Sequence, residues 1–563
     1  MSWLRKRSSR PGAALAGQPV AASPAGDAAA GVRERIEHLL SRGTIAEARS
    51  AAEEAADRFP DDAGLVALCA SACLGAGDAE SALDHAYLAL HNEPGNERAF
   101  AAQIAALERL GREREIPAAC EELLRARPGH PGALLQLARA ANAARDYARA
   151  VELFAQVVEQ EPANHAALND LGLLLARELA EFARGEALLR RALEVAPGNG
   201  DAGANLAWVL CEQGAREEGL RLFDERVAAA PQDHELRLMR AVALLKHGDF
   251  AAGWDEYEAR FASPLATHRP YAFPRWDGSP LRDGALLAYG EQGLGDQIMF
   301  ASCLPELAVR APDCIVECNP RLGRLFERSF PWARVVTAAQ DDPRPAWLDA
   351  ASRDGTSSAP IRAQVPIGSL PRWFRRSAAD FPRHPGFLRA DPARVERWRR
   401  RLAACGAQPR IGVAWRGGTA TSRRGLRSLP LEQLAPVLQG VPATWVSLQY
   451  TDCGAEIAAV AGRHGVAVHH WQEAIDDYDE TAALVDALDA VVTVCTAIVH
   501  LSGALGRRTL VLVPFAAEWR YGAAGEAMPW YPSVRLLRQR APGDWADLLG
   551  RVTNELRAPE RPT

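Results

Sequence analysis

No stretch of this sequence approaches the roughly 18 consecutive apolar residues that a membrane span requires, and no segment carries a P-loop, a G-x-S-x-G elbow or an H-E-x-x-H pair. An excess of positive charge is missing as well. Lys and Arg number 65 against 71 Asp and Glu, a net charge of -6, which argues against a surface built to coat nucleic acid or an anionic membrane. None of the ten cysteines forms a C-x-x-C pair, and Cys314 and Cys318 fall in an apolar strand-like run with no histidine beside them. Buried thiols in a reducing compartment are therefore expected, in place of a disulfide framework or a zinc site. Arg5, Lys6, Arg7 and Arg10 precede an Ala/Gly/Pro-rich stretch that lacks the apolar core of a signal peptide. Residues 1–30 are expected to be a disordered tail, and the protein to be cytoplasmic. At 563 residues the chain exceeds what one core supports, so two to four domains are expected.

What is present first is a period. Prolines recur at Pro60, Pro94, Pro128, Pro162, Pro197 and Pro231, with gaps of 34, 34, 34, 35 and 34. Small residues run in phase: Ala70, Ala138, Gly172, Ala207 and Ala241 in one series, Ala48, Ala82, Ala150, Gly185, Gly219 and Gly253 in another. Each series marks a place where one helix of a hairpin approaches its neighbour closely, and each proline stops the second helix of a unit. The gap of 35 predicts one extra residue in a turn near Arg177 to Phe182. The unit from Gly95 to Pro128 fits worst, because Ile104 and Ile116 occupy the small positions and Pro117 interrupts the second helix. The phasing resembles six or seven tetratricopeptide repeats over residues 31–262. Such stacks form a superhelix whose groove holds a peptide or protein partner; the alternative is a structural spacer. The last unit ends in Trp254-Asp255-Glu256-Tyr257-Glu258-Ala259-Arg260-Phe261, aromatic enough to pack on the domain C-terminal to it.

After a junction at Pro264, Pro270, Pro274 and Trp276-Asp277-Gly278 the period disappears. Short apolar strands (285–289, 314–318, 334–337, 361–366) alternate with helices (297–310, 321–329), which predicts a parallel sheet covered on both faces. A Pro/Arg-rich passage, 371–392, reads as a crossover; Arg372, Arg375, Arg376 and Arg383 in it suit either a solvated linker or a phosphate patch. The next helix carries Arg397, Arg399, Arg400 and Arg401 and reads as a solvated face. A second alternating series starts at Arg410 and ends at strand 509–513, giving a first lobe over 263–390 and a second over 391–563. Two such lobes leave a cleft at the C-terminal ends of their strands, and a final helix, 544–556, is expected to pack across it.

Chemistry is concentrated at strand ends. Tyr289-Gly290-Glu291-Gln292-Gly293-Leu294-Gly295-Asp296 turns from a strand through glycines into a helix, a geometry suited to an anionic ligand; Asp296 is placed to cap that helix and to act as a base. In the second lobe Trp415-Arg416-Gly417-Gly418 ends a strand and Ser422 to Ser428 forms a basic loop, either a diphosphate seat or an exposed hairpin tip. Thr496 is placed to cap a helix, with His500 one turn in, as a second anion site or a satisfied core histidine. Asp477-Tyr478-Asp479 has the spacing of a metal-binding D-x-D, but Asp477 and Glu480 also have that of a capping box; capping is expected, and no metal. His469-His470 reads as a strand-end pair.

Together with Arg427-Ser428-Leu429-Pro430-Leu431, Ser447-Leu448-Gln449, Thr481-Ala482-Ala483-Leu484, His500-Leu501-Ser502-Gly503-Ala504-Leu505-Gly506 and Trp530-Tyr531-Pro532-Ser533, these motifs resemble those of bacterial tetratricopeptide-repeat glycosyltransferases. The catalytic half of that group is related to the heptosyltransferases of glycosyltransferase family 9. The resemblance implies an all-α repeat superhelix followed by an α/β GT-B fold of two Rossmann-like lobes. It implies a nucleotide-sugar donor held mainly by the second lobe, an acceptor, including a protein, delivered by the repeats, and metal-independent inverting displacement without a cofactor. Asp296 is then the base, and Glu291, Gln292, Gly293, Gly295, Trp415, Arg416, Gly417, Arg427, Gln449, Cys495, Thr496 and His500 bind substrate. One departure stands out. The family carries Asp-Thr where this chain has Cys495-Thr496, and a thiol cannot accept two strong hydrogen bonds from sugar hydroxyls. Either the donor differs or transfer is weakened, so a non-catalytic repeat scaffold with a degenerate nucleotide-binding unit is the alternative, with a sugar-nucleotide epimerase as a third.

Overall fold

The computed structural model describes residues 24–262, 269, 271–339, 342, 345–348, 360–406, 408–418 and 423–558. The expected tail up to residue 23, Pro264, Pro270 and Ser422 lie outside the described residues. Order begins earlier than expected: a helix runs Pro24–Ser41. The alanines at 28–30 favour helix, and Ala29 is buried, which moves the boundary back from 31. No helix among the described residues is long and apolar enough to cross a membrane.

The chain divides into two compact units, one ending at Ala167 and the other starting at Leu168. The first unit contains four helix pairs: Pro24–Ser41 with Ile45–Arg58, Ala63–Gly75 with Ala79–Asn92, Glu97–Arg109 with Ile116–Ala126, and Pro131–Ala143 with Tyr147–Gln160. Three more come after them: His165–Glu178 with Phe182–Val195, Gly200–Gln213 with Arg216–Ala229, and His234–Lys246 with Phe250–Tyr257. The local code is repetitive. Asp62, Asn96, Asn199 and Asp233 cap first helices, and Asp78, Asp146 and Asp249 cap second helices, each side chain accepting from a first-turn N–H. The small positions lie at helix crossings: a Cβ on Gly185 would stand 2.6 Å from the Gly172 carbonyl oxygen.

The long period has a local origin. The turn before Asp78 is closed by its N–H donating to Cys73, five residues back, whereas Glu181 donates to Leu175, six back, with Ala180 at φ 58°. Pro117 does not interrupt its helix. It is the second residue of Ile116–Ala126, where no intrahelical N–H is needed.

Two parallel sheets complete the second unit. Strands β1 (Ala285–Tyr289), β2 (Cys314–Cys318), β3 (Arg334–Thr337) and β4 (Ile361–Pro366) lie in the order β3-β2-β1-β4. Strands β5 (Arg410–Ala414), β6 (Thr444–Ser447), β7 (Val468–His469), β8 (Ala490–Val494), β9 (Thr509–Val513) and β10 (Val534–Arg538) lie in the order β10-β9-β8-β5-β6-β7. Counted from β5, this is the 3-2-1-4-5-6 order of dinucleotide-binding sheets, with its switch point between β5 and β8; the first sheet switches between β1 and β4. β10 is absent from the sequence reading because Arg535 and Arg538 interrupt its apolar run.

Two further expectations are corrected. The helix expected over 297–310 is Leu294–Phe300, a tight turn at Ala301–Cys303, and Leu304–Arg310. Pro305 lacks the N–H to continue it, and the Arg375 guanidinium donates to the freed Ser302 carbonyl at 2.9 Å. The last helix, Trp545–Arg557, shares a buried cluster through Leu548, Leu549 and Val552 with Leu434 and Leu438 of the helix Leu431–Gly440 and with Trp445 of the second sheet, and does not cross a cleft. Of the linker arginines, Arg375 is fully buried on Glu306, Arg372 and Arg376 pair with Asp255 of the last repeat helix while remaining partly solvated, and Arg383 is exposed.

The same contacts join the last repeat to both lobes. One hydrophobic cluster runs from Leu245, Trp254 and Tyr257 through Leu286 and Phe300 of the first lobe to Val511, Trp519 and Trp530 of the second. Trp254 sits at its centre, edge-on to Phe300, Trp519 and Trp530 with centroids 6.2, 5.5 and 6.2 Å away, and its Nε1 donates to the Arg375 carbonyl at 2.9 Å. A side chain of this area buried on all sides contributes several kcal/mol, so the last repeat is part of the α/β core.

Candidate ligand crevice

The second lobe assembles its expected residues at the β5/β8 switch point. After β5 the chain turns through Trp415-Arg416-Gly417-Gly418, and buried Gln449, beyond β6, pins that turn: its Oε1 accepts from the Trp415 and Arg416 N–H groups at 3.3 and 3.0 Å. Gly417 lies flat against the turn after β8, where a Cβ would stand 2.6 Å from Thr496 Cγ2 and 2.8 Å from the Cys495 carbonyl oxygen. Thr496 caps the helix Ala497–Ala504 as expected, its Oγ1 accepting from Ile498 N at 3.1 Å. Arg427 reaches in from the basic loop and pairs with Glu518, on the segment after β9, at 2.6 Å. Arg416 turns the other way, to Glu456 at 2.9 Å and the Asp452 carbonyl at 2.6 Å.

Three expected contacts in this lobe are buried instead. Trp415 is fully enclosed in the core beneath the second sheet, so it supports the turn without facing a ligand. His500 is enclosed as well, its Nδ1 3.2 Å from Tyr531 Oη, and burial followed by the nearby Arg520 guanidinium pushes its pKa down to about 3. It is therefore a neutral core ring and supplies no charge to a phosphate. Cys495 is buried at the end of β8; burial, reinforced by Glu518, pushes its thiol up to about 12, so it is a neutral thiol.

The first lobe treats its switch point differently. Glu291 and Gln292 follow β1 as expected, but both are engaged by the last repeat. Arg260 Nη2 donates to Glu291 Oε1 at 3.0 Å and to Ser369 Oγ, in the turn after β4, at 2.9 Å. Tyr257 Oη donates to Gln292 Oε1 at 3.2 Å, and Gly368 N lies 3.4 Å from Glu291 Oε2. The repeat's own arginine thus occupies the β1/β4 crevice, and Glu291 and Gln292 are both hydrogen-bonded to the last repeat. Gly293 is exposed and is itself the N-cap residue.

Asp296 is not the cap. It is the third residue of Leu294–Phe300, and its Oδ1 accepts from Arg520 Nε at 2.6 Å and Nη2 at 2.5 Å. Oδ2 faces back toward Gly293, where a Cβ would lie 3.4 Å from it. Arg520 Nη1 reaches Glu518 Oε2 at 3.1 Å. The result is a charge chain across the lobes, Asp296–Arg520–Glu518–Arg427, with two acids and two bases. Gly295 allows the lobes to meet beside it: a Cβ there would stand 3.0 Å from His500 Cδ2 and 3.3 Å from Ala497 Cα. The cleft expected between the strand ends is closed at this crossing. Sequence reasoning missed Glu518, Arg520 and Arg260. The signal for the first two was their position in the loop directly after β9, next to the switch point.

Asp477 does cap Tyr478–Asp486, accepting from Asp479 N at 2.9 Å. Glu480 does not close the box, because it pairs with Arg394 and Arg397 and accepts from Trp398 Nε1. Those pairs also tie down the helix expected to be merely solvated.

Comparison with known proteins agrees with the repeat reading. The tetratricopeptide repeat family matches residues 176–245. Among solved structures, the APC/C hetero-tetramer Cut9–Hcn1 is similar at a TM-score of 0.37 and 14% identity over 41% of this chain and 46% of that one. PilF of Pseudomonas aeruginosa is similar at 0.35 and 16% over 38% of this chain and 97% of that one. In sequence the chain is 32% identical over 420 residues to Protein FlbA of Caulobacter vibrioides. With that identity held over 72% of its own length and 70% of the relative, the chain belongs to the family of Protein FlbA.

Proposed function

We propose that the protein is a repeat-guided glycosyltransferase of GT-B type, which moves a sugar from a nucleotide-sugar to an acceptor, including a protein, recruited by the tetratricopeptide repeats. The observation that carries this reading is the gathering of Gly417, Thr496 and Arg427 at the switch point of a 3-2-1-4-5-6 sheet, with Asp296 linked to them through Arg520 and Glu518. Crevices of this topology take nucleotides at their switch points. In the proposed reaction, Asp296 Oδ2 accepts the proton of the acceptor hydroxyl while Arg520 holds Oδ1 and fixes the carboxylate's orientation. The acceptor oxygen forms a bond to the anomeric carbon as the bond from that carbon to the diphosphate breaks, with inversion. The leaving diphosphate is met by the Arg427 guanidinium and by the N–H groups that open Ala497–Ala504. Glu518 neutralises Arg427 until a diphosphate competes for it. No cofactor or metal is invoked.

The test is a panel of nucleoside-diphosphate sugars offered to the purified protein with candidate acceptor proteins, read by intact mass. A sugar-sized shift that needs both Asp296 and a specific donor supports transfer. A second reading, a non-catalytic scaffold, is favoured by two observations, the Arg260 side chain filling the β1/β4 crevice and the neutral Cys495 thiol. Nucleotide binding without turnover toward any acceptor selects that reading, and conversion of the donor sugar alone selects the epimerase.

A further inference from the structure

The repeats of the first unit contain a cluster that the crevice does not use. Cys69 and Cys73 are one turn apart on the helix Ala63–Gly75 and therefore share a face; they have the same spacing as Cys314 and Cys318, but on a helix, where it brings side chains together. That face packs on the helix Ala79–Asn92, which carries His85. The two sulfurs and a ring nitrogen of His85 all lie within 4.8 Å of one another, with both cysteines buried and the histidine half-buried.

From this juxtaposition we infer that Cys69, Cys73 and His85 form a binding site for a thiophilic metal ion of the zinc class. Four features of the surroundings suit that role. The His85 Nδ1 lies 2.7 Å from the Ser81 carbonyl oxygen, which places the ring proton on Nδ1 and leaves the Nε2 lone pair for a metal; metal-bound histidines are oriented by such carbonyl contacts. Two thiolates and one imidazole are a Cys2His donor set, which binds zinc with a fourth position left for water or another ligand. Donors around one zinc stand about 3.5–3.8 Å apart given its bond lengths, so the side chains need to close by about an ångström at most. Finally, the half-buried histidine edge gives an ion a way in. Binding an ion here displaces thiol protons, so affinity rises with pH, and it ties the two helices of one repeat together.

The experiment uses the full chain, freed of metal with a chelator under reducing conditions and titrated with Co2+ and then Zn2+. One equivalent of Co2+ is expected to produce a thiolate-to-cobalt charge-transfer band, which one equivalent of Zn2+ removes. Cys73→Ala and His85→Gln are expected to lose the band, whereas the control Cys314→Ala keeps it. Far-ultraviolet circular dichroism establishes that each variant is folded. Should Cys73→Ala fail that check, His85→Gln carries the test, since it leaves both buried thiols in place. A band absent from the folded wild-type chain, or one that persists in folded His85→Gln with unchanged zinc affinity, overturns the assignment.

Discussion

The two parallel sheets of the second unit offer the same kind of crevice and use it in opposite ways. At the β1/β4 switch point, Glu291 faces the Gly368 backbone N–H and Arg260 of the last repeat occupies the crevice, donating to Glu291 and Ser369. At the β5/β8 switch point Gly417, Thr496 and Arg427 converge, and the repeats touch only the surrounding loops that the structure describes, with Arg423 over the Trp208 ring and Phe515 beside Phe182. Topology therefore specifies where a crevice is, and the neighbouring element specifies whether it is available. In this chain the repeats are the neighbour, and they are joined to the first lobe by buried ion pairs and by Trp254.

The comparison can be broken most directly at the residue joining the two lobes. Asp296→Asn keeps the size of the side chain and an acceptor for Arg520 but removes the base, so transfer is expected to fall by about 10²- to 10⁴-fold while nucleotide binding, followed by calorimetry, is retained. Unchanged turnover would exclude Asp296 as the base.

At the filled crevice, Arg260→Ala leaves Glu291 buried without its cation. Breaking a buried pair from one side costs about 3–5 kcal/mol, to be read in urea denaturation of the second unit's transition. If the variant unfolds like the wild type, Arg260 is not a plug. Gly417→Val tests the open crevice. Its Cβ would meet Thr496 and the Cys495 carbonyl, so overpacking of about 1–3 kcal/mol is expected, together with loss of nucleotide binding; retained affinity would show that the ligand does not approach this turn.

Acid stability sharpens the role of His500. Its pKa is lowered on folding from 6.5 to about 3, so the unfolded chain binds the proton more readily. The stabilisation it contributes is complete above pH 6.5 and is lost as pH falls toward 3, by up to about 1.4 kcal/mol per unit. His500→Gln is expected to flatten the stability profile between pH 6.5 and 5 relative to wild type; identical slopes would mean that the ring is accessible to protons in the folded state. The smallest effect is expected from Glu518→Gln. Removing the anion that pairs with Arg427 and Arg520 is expected to tighten nucleoside-diphosphate binding by about fivefold, roughly 1 kcal/mol, and to increase its salt dependence. Weaker binding would indicate that Glu518 holds Arg427 in its productive position.

Much of the fold was legible because it is written in local signals. The 34-residue period, the aspartate caps and the small residues at helix crossings are each decided within one repeat, and even the extra residue at Glu181 appears as a change in a single turn. Apolar runs such as Leu286 to Tyr289 and Val491 to Val494 marked strands because parallel strands are buried on both faces. β10 escaped notice for the complementary reason: two arginines with long-range partners, Arg535 on Glu555 and Arg538 on backbone carbonyls around Tyr521 to Gly525, sit inside it. The site was legible as a set of loops and not as a set of contacts. The structure puts Gly417 and Thr496 at strand ends with Arg427 in the loop beside them, whereas Glu291, Gln292, Trp415, Gln449 and His500 make contacts within the protein.

The sequence by itself determined the repeat array, every strand but β10, and the loops in which ligand contacts could occur, because turns, caps and periodic burial depend on residues a few positions apart. Only the tertiary structure decided that Asp296 holds Arg520 across 224 residues of chain, that Arg260 fills one crevice and leaves the other, and that His500 is neutral. Burial and ion pairing between distant segments depend on which elements pack together, and the energy of a charge is set by that surrounding more than by its neighbours in sequence.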